Sequence, residues 1–124
     1  SLLPCGTALA SSFNQEGVER LYGLVSREMD PFGIHMLLAP GMNIHRNPLC
    51  GRNFEYYSED PYVASEMAGA LIDGIQSKGV GTSIKHFLAN NQEHRRMSSS
   101  SDYIGTHSSV SPFRSPCLLP HILP

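Results

Sequence analysis

Between Asn14 and Leu88, two amphipathic helix patterns are interleaved with short runs that are almost wholly apolar. Val18, Leu21, Tyr22, Val25 and Met29 recur at three- and four-residue spacing, which places them on one helical stripe. Asn14 suits the cap of this helix. "DPFG" ends it near Glu28, because Pro31 restricts Asp30 and Gly33 permits a turn. Val63, Met67, Ala70, Leu71, Gly74 and Ile75 form a second stripe, begun by Asp60 and Pro61 and stopped near Lys78 and Gly79. Residues 7–10, 34–39 and 80–88 read as strands. Strand, helix, strand, helix, strand predicts a parallel sheet with helices packed on it, joined by right-handed crossovers. Strands this short and apolar suit burial on both faces.

Two polar stretches follow the later strands: "PGMNIHRNPLCGRNFEYYSEDP" at 40–61, and the end of "IKHFLANNQEHRRM" at 84–97. Both fall at the carboxyl end of the expected sheet, where α/β folds keep their chemistry. The rim so formed carries Arg46, Arg52, Glu55, Lys85, His86, Arg95 and Arg96, with Asn43, Asn53, Asn90, Asn91 and Gln92. Leaving such groups unpaired beside a buried strand is expensive. Several fixed donors beside a few acceptors suit a ligand dense in hydroxyls, such as a sugar. Phosphate is the rival, but the Gly-rich cradles that bind it on backbone amides are missing.

Other classes are set aside by composition. A net charge of −2 leaves no electrostatic footprint for nucleic acid or acidic membranes, and no apolar run reaches the length of a membrane span. Cys5, Cys50 and Cys117 are odd in number and far apart, which favours neither a disulfide framework nor a zinc site and points to a reducing, cytoplasmic compartment. No cofactor is expected. The N-terminus has neither Met nor a basic region before its apolar part, so it reads as a start in mid-protein and not as a signal peptide. From Ser98 the chain turns Ser- and Pro-rich without any stripe, as a disordered tail or a shifted reading frame would. The expected division is a folded part at 1–97 and a tail at 98–124.

The segments "R-x-P-x-x-G-R-x-F-E" at 46–55, "S-E-D-P" at 58–61, "K-H-F" at 85–87 and "N-Q-E" at 91–93 stand in an order and spacing that closely resemble glycoside hydrolase family 3, the family of many β-glucosidases and β-xylosidases. The resemblance covers roughly residues 5–97. It implies an N-terminal (β/α)8 TIM-type barrel whose carboxyl rim holds a glucosyl-like unit in the −1 subsite. It implies that Arg52, Lys85, His86 and Arg96 hydrogen-bond the sugar hydroxyls of a small-molecule or oligosaccharide substrate. Lys85 and His86 are adjacent, so a regular strand would point them to opposite faces, and both reach one ligand only if the strand end twists or bulges. Each has a plainer reading. Arg52 can brace the loop through Glu55, and His86 alone would be a satisfied core histidine, whereas Lys85 in a buried strand needs a partner in any case. Glu55, Glu59 and Asp60 suit bracing and helix capping, Arg95 suits the surface, and His45, His94 and His107 lack ligand spacing.

Retaining glycoside hydrolysis needs two carboxyl groups about 5 Å apart. The family's nucleophile is an Asp in a Ser-Asp-Trp-like motif on a later strand, and its acid/base lies further on. This sequence has no Trp, and Asp102 follows "RRM" too closely to match. The expectation is therefore an incomplete (β/α)8 barrel, β-α-β-α-β with an irregular C-terminal tail, without catalytic residues and unstable or aggregating in isolation. A non-catalytic sugar-binding remnant and a protein-interaction module are the alternatives. Oligomeric state is not legible.

Overall fold

The computed structural model describes residues 1–87 and 89–98, and the backbone of 100–103 and 113–116. Residues 7–10, expected as a strand, lie instead in a short helix, α1 (Gly6–Ala10). A four-residue apolar run has no period that separates strand from helix, so packing decides. The Thr7 hydroxyl donates to the carbonyls of Asn53 (3.1 Å) and Tyr56 (2.9 Å), while Leu9 and Ala10 enter the main core. The order is therefore helix, helix, strand, helix, strand, and the described residues place two strands, not three, in the parallel sheet.

The long helices begin where local chemistry predicts. In α2 (Gln15–Met29) the Asn14 side chain accepts from the Gly17 amide at 2.9 Å. A 3-10 turn over Asp30–Phe32 follows, closed by Gly33 at φ +64°. In α3 (Pro61–Gln76) the Asp60 carboxylate accepts from the Tyr62 amide at 2.7 Å, with Pro61 at the first position. Their stripes meet, with Val18 and Met29 clustering with Met67, Leu71 and Ile75. The crossing is close at Gly74, where a Cβ would lie 2.3 Å from the Glu19 carbonyl oxygen. Beside it the buried Ser26 hydroxyl donates to the Ile75 carbonyl at 2.7 Å, so neither group is left unpaired.

Helix α3 is the crossover between β1 (Met36–Leu37) and β2 (Gly81–Thr82), which pair in parallel with Met36 opposite Gly81. Both are shorter than the expected 34–39 and 80–88. After Leu37 the ladder is interrupted: the Ala39 amide bonds back to the Leu37 carbonyl and the Ala39–Pro40 peptide is cis. Pairing resumes as a parallel bridge between Gly41 and Lys85, so β1's strand spends one residue more than its partner over this stretch. The expectation of burial on both faces also fails among the described residues. Leu37 and Ala39 pack on the helical core, but on the other side Met36, Leu38 and Ile84 are 58%, 65% and 56% exposed.

In the tail, β3 (Ser100–Tyr103) and β4 (Phe113–Pro116) pair antiparallel, with Ser100 opposite Pro116, where irregular structure was expected. Residues 104–112 and 117–124, with His107 and Cys117, lie outside the described residues, as does Leu88. Among the described residues no helix is long and apolar enough to cross a membrane, and no three His, Cys, Asp or Glu side chains are grouped to hold a metal ion.

Candidate functional site at the sheet rim

The loop after β1 and the segment after β2 meet at the carboxyl end of the sheet. Backbone bonds join them first: the Lys85 amide donates to the Pro40 carbonyl and the Met42 amide to the Lys85 carbonyl, both at 2.9 Å. Asn43 then clamps the His86 backbone, accepting from its amide at 2.8 Å and donating to its carbonyl at 3.3 Å. The Asn91 side chain accepts from the Ile44 amide at 3.3 Å. Gly41 makes a close approach here, where a Cβ would sit 3.1 Å from the Tyr56 ring.

Arg52, Lys85 and His86 converge on this frame. Glu55 joins two of them: one carboxylate oxygen accepts from Arg52 Nε, and the other from Lys85 Nζ at 2.8 Å. Burial opposes the charge on Glu55, but the hydrogen bonds from Arg52 and Lys85 outweigh it and hold the carboxyl below its usual range. The same bond to Glu55 raises the Arg52 pKa. Lys85 and His86 both enter the cluster, although a regular strand would point them to opposite faces.

The hydrogen-bond inventory assigns the protons on His86. A guanidinium can only donate, so Arg52 Nη2 donates to His86 Nε2 at 2.8 Å. The neutral ring then carries its proton on Nδ1, which donates to the Tyr56 hydroxyl oxygen at 2.9 Å. Asn90 Nδ2 donates to the same oxygen at 2.6 Å. Burial lowers the His86 pKa, and the charges of Arg52 and Lys85 lower it further. His86 is thus an acceptor towards Arg52 and a donor towards Tyr56. Burial raises the pKa of Tyr56, which has no exposed surface and stays a neutral phenol.

Arg96 stands one step away. It pairs with Glu93 at 3.4 Å, and its charge is among those that depress His86. Arg46 and Arg95 are exposed, and His45 Nε2 donates to the Asn53 carbonyl at 2.8 Å within the loop. Sequence reasoning missed Tyr56. Its position next to Glu55, in a loop with no periodicity, carried no signal that its hydroxyl would reach a residue 30 positions away.

Residues 1–118 match the glycosyl hydrolase family 3 N-terminal domain. The chain belongs to this family. Among its family 3 relatives, it is 55% identical over 94 residues to the thermostable β-glucosidase B of Acetivibrio thermocellus, covering 76% of this chain and 12% of that protein. It is 49% identical over 94 residues to the exo-α-(1→6)-L-arabinopyranosidase of Bifidobacterium breve, again 76% of this chain and 12% of that one. Among solved structures, β-glucosidase 3B of Thermotoga neapolitana in complex with glycerol superposes with a TM-score of 0.77 at 54% identity, over 79% of this chain and 14% of that one. The same enzyme in complex with α-D-glucose gives a TM-score of 0.75 at 52% identity, with the same coverage of both chains. The family's N-terminal domain is a TIM-barrel-like fold, and the described residues of this chain include helices and two parallel strands. The chain thus spans about an eighth of the length of the relatives named here.

Proposed function

We propose that the chain supplies the hydroxyl-binding part of the −1 subsite of a retaining β-glycosidase acting on terminal β-D-glucosyl or related bonds. The observation that carries this reading is the convergence of Arg52, Lys85 and His86 on one rim, held there by Glu55, Tyr56 and Asn43. Arg52 and Lys85 offer donors to sugar oxygens, Arg96 adds a third cation at the edge, and His86 offers the lone pair it now gives to Arg52. The glucose-bound relative supports a pyranose as the ligand.

The residues that cut the bond lie outside 1–124 in this reading. Glu55 is a poor acid and a poor nucleophile, since both of its oxygens are engaged by cations and its pKa is lowered. The sheet and its two long helices are one sector of an incomplete barrel, with residues 1–97 as the folded part and 98–124 as an appended tail. The face bearing Met36, Leu38 and Ile84 is then the side on which further strands would pack. Two assays on the purified chain test the proposal. Calorimetric titration with glucose gives saturable heat that Lys85→Ala abolishes, and an aryl β-glucoside is not turned over. Absence of any glucose heat defeats the binding role, and turnover defeats the placement of the catalytic carboxylates.

A further inference from the structure

Two contacts hold the Arg52 side chain. Its Nε donates to Glu55 and its Nη2 to His86 Nε2, the latter at 2.8 Å. A guanidinium has five N–H groups and no acceptor, so three remain for ligand oxygens. The hold at Nη2 lasts only while His86 Nε2 is bare. Imidazole has a second neutral form, with its proton on Nε2, and there one N–H would face another. What separates the two forms lies across the ring. The Tyr56 hydroxyl oxygen stands 2.9 Å from Nδ1, and Asn90 Nδ2 donates to the same oxygen at 2.6 Å. The Tyr56 ring meets that of His86 edge-on, with centroids 5.9 Å apart and planes at 78°, while Asn43 holds the His86 backbone at both amide and carbonyl. Tyr56 has no exposed surface, so without its hydroxyl the Nδ1 proton would face a buried gap, which is costly. Moving the proton to Nε2 would relieve that cost at Nδ1 and break the contact with Arg52.

We infer that Tyr56 is a positioning residue for the sugar site: by accepting the Nδ1 proton it keeps His86 Nε2 an acceptor, and so holds the Arg52 guanidinium with its other N–H groups left for the ligand. The inference rests on the sugar-binding reading and adds to it a residue that acts through His86 and Arg52 without touching the sugar.

Nitrogen NMR on the isotope-labelled full chain tells the two forms apart, because protonated and bare ring nitrogens resonate far from one another. The His86 signals are those lost in His86→Gln. In the wild-type chain the ring carries its proton on Nδ1. In Tyr56→Phe the proton moves to Nε2, and calorimetric titration gives glucose binding at least about tenfold weaker, the loss expected for a hydrogen bond to a charged group. Tyr57→Phe, which alters a neighbouring phenol in the main core, changes neither reading. A wild-type ring protonated on Nε2 overturns the inference without any variant. So does a Tyr56→Phe ring that keeps its proton on Nδ1, since a merely structural defect weakens binding without moving the proton. A moved proton with affinity within about threefold of wild type overturns it as well. In each of these cases glucose binding that depends on Lys85 keeps the sugar-binding reading intact, whereas absence of glucose binding by the wild-type chain defeats both. Should Tyr56→Phe fail to fold by circular dichroism, the wild-type spectrum with and without glucose decides: a proton on Nδ1 in both supports the role, and a proton on Nε2 in either overturns it.

Discussion

Replacing Glu55 by Gln removes the charge that Arg52 and Lys85 share, while the shape of the side chain stays. The three side chains are between 20% and 29% exposed, so the two pairs lie between the surface and the buried case. Exposed pairs contribute up to about 1 kcal/mol, and breaking a buried one costs roughly 3–5 kcal/mol. An intermediate value for two pairs, offset by the hydrogen bonds Gln retains, gives about 2 kcal/mol, or roughly a thirtyfold shift in a local opening equilibrium. Hydrogen–deuterium exchange at pH 7 and low micromolar concentration reads this shift. The amides of Met42, Lys85 and His86, which tie the rim together, exchange about thirtyfold faster in Glu55→Gln. Amides around Leu71 and Ile75 in the α3 core keep their rates. A change below about threefold at the rim refutes the reasoning, and so does equal acceleration in α3, which would make the effect global.

Acid should weaken the rim before the helices. Burial and the neighbouring cations hold His86 below its ordinary pKa, and its two cationic hydrogen bonds, against burial, hold Glu55 below its own. Each therefore binds fewer protons folded than unfolded, and stability rises with pH. The His86 contribution is complete above about pH 6.5 and fades below it, and that of Glu55 fades below about pH 4.3. A rim-to-α3 protection ratio that stays flat from pH 7.5 to pH 4 counts against this. Gly74→Ala, with its Cβ at 2.3 Å from the Glu19 carbonyl, lowers stability by about 2 kcal/mol, whereas Gly69→Ala, with open space around it, is neutral or stabilising; thermal melts compare the two. Met36, Leu38 and Ile84 each forgo roughly 1 kcal/mol of burial, so the isolated chain self-associates through that face. Met36→Gln with Leu38→Gln shifts it towards monomer in light scattering without loss of helicity, and an unchanged mass rejects the assignment.

The starts, ends and inward faces of the two long helices were legible because they obey rules acting over a few residues. Asn14 and Asp60 reach amides two or three positions on, Gly33 closes a turn, and the apolar stripes repeat at the helical period. The gathering of donors after the last two parallel strands was legible too, since a parallel sheet delivers successive carboxyl ends to one rim. The conformation of residues 7–10 was not, because four apolar residues fit either a strand or a helix until Asn53 and Tyr56 offer carbonyls to Thr7. Nor was the division of labour at the rim. That Glu55 serves two cations and that Tyr56 and Arg52 hold His86 follow from contacts across separations as large as 34 residues. Hydrophobic period and capping are written into neighbouring residues, whereas the pairing of distant polar groups depends on strand register and on what the packed backbone leaves within reach.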